Sequence, residues 1–379
     1  MEKKRTASIE LARIVACLMV LVIHTVTWYT NKEGLLEGSL LIRCFVLDGV
    51  PIFWYIMGYF LFVNPNSSQL RRVKKTFTSL ILPAVTVMVF CQIWQDWLTA
   101  DIGEVGFLSC LDMHSLDVHN LVSNLLQWNS GMTFGGHFWY VFSYLQVILW
   151  VPLLQFVCVD EPRANKCRHY LLLLAVIYVI NRDVSNIGML TIAEKKYPVT
   201  VYSVITPTLL YVLLGYEVYL HRADIMKNRQ HIRWLGMVGF FLFNILRFFL
   251  AVRDMRVDSS KSYFLGIGTC CGYLASLSLF LSLLCWEFRE NSLGEKITLF
   301  LGSKTLGIYL IHGCVYRKLQ AIGVRSFVYQ WYTQNPGKLI IEICATIAYA
   351  LIVFAVCCLL VCMLKQAGVF LKKTVKSFL

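Results

Sequence analysis

Three ionisable residues of types that carry acid–base chemistry share one face of the first apolar stretch. Glu10, Arg13 and His24 lie in or beside residues 8–29, which are numerous enough to cross a bilayer as a helix of about 20 apolar residues. From Arg13 to His24 such a helix turns about 20° beyond three full turns and rises roughly 16 Å. An ionisable group inside a membrane helix costs at least about 2.5 kcal/mol by insertion scales and indicates a functional site. The stripe therefore predicts chemistry inside the membrane.

His24 is the candidate general base of this stripe. A neutral imidazole near a hydroxyl takes its proton as the hydroxyl attacks a carbonyl, which contributes roughly 10²–10⁴-fold to the rate. The other interpretation is a structural histidine that is hydrogen-bonded to a neighbouring helix. Because His24 shares its face with Arg13 and Glu10, the catalytic interpretation is favoured.

Basic groups near the predicted cytoplasmic side are candidates for binding phosphate. The guanidinium of Arg13 matches phosphate or pyrophosphate oxygens of an acyl donor in bidentate geometry, with Glu10 as its orienting partner. Alternatively, Arg13 extends to the membrane surface and pairs with Glu10. Directly after the second predicted span, four cations could bind nucleotide phosphates or simply reflect the positive-inside bias; they are Arg71, Arg72, Lys74 and Lys75.

On the opposite, outer side, aromatic and imidazole groups are candidates for lining an acceptor cleft. His137 follows a Gly pair, and Trp139, two residues later, is also an ordinary aromatic-belt residue. Tyr309 and His312 lie one helical turn apart near the end of the ninth predicted span. Arg247 is a further intramembrane charge that needs a partner, which the sequence does not identify.

The composition requires helices to position these residues. Of 379 residues 58% are hydrophobic and 15% are charged, and the apolar runs recur along the whole chain. Because lipid-exposed backbone must satisfy its own hydrogen bonds, such runs are expected to be helices. We predict an all-α, polytopic membrane bundle of ten spans, at 8–29, 40–63, 77–98, 137–159, 169–187, 199–220, 234–252, 262–285, 298–314 and 339–364.

The net charge of +13 is explained by membrane orientation. Lys and Arg are concentrated in alternate loops, and the long segment 99–136 has none, so both termini are predicted to be cytoplasmic and no nucleic-acid partner is expected. The basic excess favours contact with anionic lipids of the cell membrane. Most of the cysteines lie within apolar spans without metal-ligand spacing, so no metal site is predicted. We expect a single integral-membrane domain over 1–379.

Several motifs, in order along the chain, resemble the membrane acyltransferase-3 family of bacterial surface-glycan O-acyltransferases. The resemblance begins with Ser8–Arg13 and the spacing of ten residues between Arg13 and His24, and it continues through 50–53 and 58–61. His137-Phe138-Trp139 and the segment 301–312 complete it. The nearest fits to the family's Arg-x-x-Arg motif are Arg71-x-x-Lys74 and Arg72-x-x-Lys75, and Met57 stands where a serine is common.

The resemblance implies transfer of an acyl group, with acetyl as the first expectation, from cytoplasmic acetyl-CoA or another acyl-CoA. The acceptor would be a hydroxyl of a surface glycan or a lipid-linked saccharide, no permanently bound cofactor is expected, and a separate extracytoplasmic protein is a candidate partner. His24, Arg13 and Glu10 are the expected catalytic group. The alternatives are a transporter or flippase of a small polar molecule or lipid-linked sugar, and a structural subunit of a surface-polymer assembly complex.

Overall fold

The structure is a computed structural model that describes residues 6–33, 37–63, 68–101, 104–109, 119, 138–191, 206–257, 263–333 and 339–378. All regular elements in these ranges are helical. They are α1 (Ala7–Glu33), α2 (Glu37–Val46), α3 (Gly49–Leu61), α4 (Gln69–Thr76), α5 (Leu82–Ile93), α6 (Gln95–Thr99), α7 (Trp139–Leu154), α8 (Pro162–Thr191), α9 (Pro207–Leu220), α10 (Arg222–Lys227), α11 (Arg229–Val257), α12 (Cys270–Leu284), α13 (Leu293–Gly302), α14 (Thr305–Ala321), α15 (Val324–Thr333) and α16 (Leu339–Phe378).

Six helical segments in the described ranges are long and apolar enough to span a membrane, or seven if a bent pair counts as one span. The six are Ala7–Val26, Ser39–Leu61, Gln69–Ile93, Arg229–Met255, Tyr263–Leu284 and Ile340–Gln366. The bent pair is Leu293–Gly302 with Thr305–Ala321. The all-helical membrane fold is thus confirmed, and the protein is a multi-pass membrane protein.

The three remaining predicted spans also coincide with helices. Two of them correspond to the shorter apolar helices Trp139–Leu154 and Pro207–Leu220, and the span 169–187 lies within α8. Ten spans and the cytoplasmic position of both termini stay predictions.

The chain divides into two compact units that are interleaved in sequence. Unit 1 comprises Met1–Arg72 and Gln146–Leu299, and it contains α1 to α3 and α8 to α12. Unit 2 comprises Val73–Leu145 and Phe300–Leu379, and it contains α5, α6 and α14 to α16. Glu10, Arg13 and His24 belong to unit 1, whereas Trp139, Tyr309 and His312 belong to unit 2.

Close helix packing in unit 1 depends on small residues. A Cβ atom at Gly58 of α3 would lie 1.9 Å from the carbonyl oxygen of Val212 in α9, and one at Gly215 would lie 2.3 Å from the carbonyl oxygen of Tyr55. Two backbones can approach this closely because neither glycine has a side chain. The contact explains Gly58 in the second predicted span as a packing requirement.

Between α4 and α5 the backbone forms one π-helical segment, Phe77–Ile81. The Leu82 N–H donates to the carbonyl oxygen of Phe77, five residues earlier, which is the π-helical pattern. The next residue, Pro83, has no N–H and donates no backbone hydrogen bond. The hydroxyl of Ser79 donates to the carbonyl oxygen of Lys75 at 2.6 Å. The segment thus continues as a helix, and Gln69–Ile93 forms one span candidate.

Candidate functional site

The first helix presents an ion pair near its start. Arg13 Nη1 donates to Glu10 Oε1 at 2.9 Å, one turn away on α1. The Glu10 side chain is 3% exposed and the Arg13 side chain 33% exposed. Glu10 also lies in the first helical turn, where the helix dipole favours a carboxylate. The carboxylate therefore orients the guanidinium, and about a third of the Arg13 side chain stays exposed.

His24 lies on the same unbroken helix as this ion pair. The eleven steps from Arg13 correspond to about 16 Å of rise, and the two side chains differ by about 20° around the axis. Cys17 and Val20 occupy the stripe between them, and both are buried. The middle of the stripe is therefore buried, and His24, whose side chain is partly buried, lies on the same stripe.

A second charged pair is completely buried in unit 1. Arg247 Nη2 of α11 donates to Asp48 Oδ1 at 2.9 Å, and both side chains are 0% exposed. Arg247 Nη1 donates to the carbonyl oxygen of Cys44 at 2.8 Å and to Asn244 Oδ1 at 3.0 Å. Asn244 Nδ2 donates to Asp48 Oδ2 at 3.1 Å. Both carboxylate oxygens of Asp48 thus accept hydrogen bonds inside a closed network.

This network lies level with the middle of the α1 stripe. A Cβ atom at Gly49, directly after Asp48, would lie 2.8 Å from the carbonyl oxygen of Ala16 and 2.9 Å from Met19 Cβ. Ala16 and Met19 lie between Arg13 and His24 along α1. On another side, a Cβ atom at Gly272 of α12 would lie 2.7 Å from Arg247 Nη2, so a larger residue there would have to displace the guanidinium.

The sequence does not identify a partner for Arg247, and the structure shows that the partner is Asp48. Asp48 was not among the predicted site residues, although it lies inside the predicted span 40–63. The sequence does contain a signal for Asp48, since a carboxylate within an apolar span requires a partner as much as a cation does. The junction of α2 and α3, where Asp48 lies, is thereby fixed to α11.

An aromatic cluster adjoins the network in unit 1. The Tyr55 hydroxyl of α3 donates to the carbonyl oxygen of Tyr273 at 3.1 Å and lies 3.4 Å from Ser276 Oγ. The Tyr55 ring packs edge-on against Tyr211 at 5.3 Å between centroids and stacks on Phe280 at 5.5 Å. These contacts hold α3, α9 and α12 together beside the charged pair.

The predicted cytoplasmic basic group occupies α4. Arg71, Lys74 and Lys75 are exposed, and Arg72 is partly buried. At the start of the same helix, Gln69 Nε2 donates to the carbonyl oxygen of Ile148 at 2.7 Å. The structure therefore presents these cations at one end of a span candidate, where both phosphate binding and contact with lipid headgroups are chemically feasible.

Unit 2 brings two predicted acceptor-side residues together on α14. His312 Nδ1 lies 2.5 Å from the carbonyl oxygen of Tyr309, and the two rings are 5.7 Å apart between centroids. Since a carbonyl oxygen only accepts, this contact places the proton on Nδ1 and the acceptor lone pair on Nε2. Both residues are buried, and Tyr140, which follows Trp139 in α7, packs 5.6 Å from the Tyr309 ring. His137 lies outside the described residues.

The described helices make the chain a multi-pass membrane protein with ionisable groups buried between its spans, which is where membrane proteins carry functional sites. The chain belongs to the acyltransferase-3 family, because the model of this acyltransferase domain matches residues 6–362. The protein is therefore a membrane acyltransferase by family. No curated protein and no solved structure matches the chain significantly.

Proposed function

We propose that this protein transfers an acyl group, acetyl in the first instance, from a cytoplasmic acyl-CoA to a hydroxyl of an extracytoplasmic or lipid-linked glycan. The observation that carries the proposal is the stripe of α1, on which the Glu10–Arg13 pair and His24 lie in one helix of a family acyltransferase. We place both termini in the cytoplasm and the protein in the cell membrane, as the distribution of Lys and Arg indicates.

Arg13 binds the donor's phosphates in this proposal. Glu10 engages Nη1, and a guanidinium has five N–H donors, so several remain to be directed at phosphate oxygens. Arg71, Arg72, Lys74 and Lys75 are further donor-binding candidates, with the lysines contributing charge without the planar fork of arginine. The roughly 16 Å between Arg13 and His24 suits the pantetheine arm of CoA, which would carry the thioester toward His24.

His24 acts as the general base. It accepts the proton of the attacking hydroxyl, whose oxygen forms a bond to the thioester carbonyl carbon, and the carbon–sulfur bond then breaks. The proton returns to the departing CoA thiolate, so the imidazole is regenerated. If the acyl group itself crosses the bilayer, His24 carries it transiently as an acyl-imidazole. The acceptor side is proposed to include His137, Trp139, Tyr309 and His312.

The decisive experiment uses purified protein in lipid vesicles with acetyl-labelled acetyl-CoA. The wild type is expected to label an added membrane extract or itself, and His24→Ala is expected to lose this labelling at equal protein abundance. His231→Ala is the matched control, because His231 is an exposed imidazole at the start of α11. Wild-type labelling by His24→Ala would remove the base assignment. Mass spectrometry of surface glycans with and without the gene then identifies the acceptor.

Transport is the second candidate function, and the Asp48–Arg247 pair favours it, because charge pairs inside spans also mark substrate pathways in transporters. In the same vesicles, counterflow of a lipid-linked sugar without any acyl donor would support transport. Label transfer from acetyl-CoA without counterflow supports the acyltransferase.

A further inference from the structure

Two cysteines of unit 2 lie within bonding reach of each other. Cys91 near the end of α5 and Cys314 in α14 have their Sγ atoms 2.6 Å apart, although 223 positions separate them in the chain. Both are free thiols, and both are buried. A disulfide bond needs about 2.05 Å between sulfurs, so the two Sγ atoms lie about half an ångström from bonding distance. We propose that Cys91 and Cys314 form a disulfide that ties α5 to α14.

The pair lies at the end of its span that is far from the basic group. Cys91 follows Arg72 by 19 positions, which corresponds to roughly 28 Å of helix and is close to the thickness of the hydrocarbon core. With the basic group on the cytoplasmic side, Cys91 is at the outer side. This step rests on the proposed orientation. Extracytoplasmic compartments are oxidising, whereas cytoplasmic thiols are kept reduced.

The surroundings already hold the two helices in contact. Lys318 Nζ, one turn beyond Cys314 on α14, donates to the carbonyl oxygens of Trp97 and Ala100 at 2.9 Å each. The same ammonium lies 4.6 Å from the centre of the Trp97 ring. Leu98 of α6 packs with both cysteines in one apolar cluster. The bond would therefore add a covalent link where α14 already packs against α5 and α6.

The oxidation needs a partner with a disulfide of its own, namely a thiol–disulfide oxidoreductase of the outer side. One cysteine thiolate attacks that disulfide, which forms a mixed disulfide and releases one partner thiolate. The second cysteine then displaces the other partner sulfur, so the Cys91–Cys314 bond forms and the partner leaves as a dithiol. Two protons and two electrons pass from the cysteine pair to the partner. Because both side chains are buried in the folded protein, the exchange belongs to membrane insertion, before α14 packs on α5.

The bond has a mechanical consequence for α14. Cys314 follows His312 by two residues, so a tether at Cys314 fixes the part of α14 that carries Tyr309 and His312. Reduction is expected to lower the thermal unfolding temperature of the wild type. The double variant with Ser at both positions is expected to be insensitive to reductant.

The test measures the covalent state directly and does not depend on acyl transfer. Full-length protein is extracted from membranes without reductant, denatured with excess N-ethylmaleimide, digested, and analysed by mass spectrometry. A linked peptide pair that contains Cys91 and Cys314 is expected, and it should disappear after reduction. Cys358 and Cys362 are the control pair, because they interact one turn apart on α16, toward its proposed cytoplasmic end, and should carry maleimide.

Each outcome decides the proposal. A linked Cys91–Cys314 peptide in most of the protein, with alkylated Cys358 and Cys362, supports it. Complete alkylation of Cys91 and Cys314 in denaturant overturns it, as does linkage of either cysteine to a different partner. Linkage of the control pair as well would show oxidation during extraction and would equally count against a specific bond.

Discussion

Asp48 and Arg247 form an ion pair of 2.9 Å between Oδ1 and Nη2 with no exposed side-chain surface, although 199 residues separate them in the chain. Removal of two charges from water costs several kcal/mol for each ion, which only good geometry and further hydrogen bonds offset. Here Asn244 and the Cys44 carbonyl supply those bonds. The pair therefore fixes the positions of the α2–α3 junction and α11 relative to each other, with Gly272 of α12 packed against the guanidinium.

Removal of either member of this pair is expected to destabilise the protein strongly. Asp48→Ala or Arg247→Ala leaves an uncompensated buried charge, at a cost of about 3–5 kcal/mol. The double variant should lose much less than the sum of the single losses, because neither charge then remains unpaired. Thermal unfolding of purified protein in detergent measures these effects.

The control is an exposed ion pair of the same unit. Arg229 and Glu287 pair with side chains that are 55% and 51% exposed, and removal of either should cost less than about 1 kcal/mol. Equal losses at the buried and the exposed pair, or strict additivity in the double variant, would contradict the prediction.

Substitution of Gly58 is expected to destabilise the protein, because the packed helices leave no room for a side chain. In Gly58→Ala the new Cβ would lie 1.9 Å from the backbone oxygen of Val212, so α3 and α9 must separate. Overpacking of this kind costs about 1–3 kcal/mol, which appears as a lower unfolding temperature.

Gly294→Ala in α13 is the matched control, since its nearest neighbouring atom is 4.0 Å away. There alanine should be neutral or stabilising, because it forms helix better than glycine by about 1 kcal/mol. Similar destabilisation at both positions would refute the packing argument.

Local patterns predict that a helix lies within each proposed span, but not where a span breaks into two helices. Apolar runs predict helices at all ten proposed spans, and the eleven-residue step predicts the shared face of Arg13 and His24 because it depends on helix geometry alone. The one-turn spacing of Tyr309 and His312 likewise predicts their contact. Each of these follows from neighbours along one helix.

Contacts between helices could not be predicted in the same way. The pairing of Asp48 with Arg247 depends on which helices pack together, and no periodicity encodes that choice. The bend of 61° between α13 and α14 was also missed, since the predicted span 298–314 runs through it. Gly302 ends α13, and the hydroxyls of Ser303 and Thr305 bond to nearby carbonyl oxygens at the break. Short polar residues within an apolar run are therefore the sequence signal for such a helix break.

Arg13 is expected to act in donor binding. Hydrogen bonds to a charged group are worth about 1.5–3 kcal/mol, so Arg13→Ala should raise the KM for acetyl-CoA by about 10-fold to 150-fold. Arg13→Lys should recover part of this loss, because it keeps the charge without the bidentate fork. Glu10→Gln should have a smaller effect of the same kind, since it only loosens the guanidinium.

Labelled transfer in membrane vesicles, measured against acetyl-CoA concentration, separates KM from kcat for these variants. Arg229→Ala is the control, because Arg229 is an exposed arginine at the start of α11, on the side that is proposed to be cytoplasmic. If Arg13→Ala lowers kcat at unchanged KM, the donor-binding role is wrong.

His312 is expected to contribute its Nε2 to the acceptor side, whereas its Nδ1 serves the fold. Nδ1 bonds to the Tyr309 carbonyl oxygen at 2.5 Å. In His312→Asn the amide nitrogen takes the place of Nδ1 and preserves this hydrogen bond, but the nitrogen that can accept a proton is gone. We therefore expect His312→Asn to keep a near wild-type unfolding temperature and the donor KM, and to lose roughly 10²-fold or more in transfer.

His312→Gln places an amide where Nε2 lies and leaves the Tyr309 carbonyl without that donor, so it should lose stability as well. Alkali-releasable acetyl groups on membranes that contain the endogenous acceptor measure transfer, and unfolding in detergent measures stability. Full transfer by His312→Asn would restrict His312 to a structural role in α14.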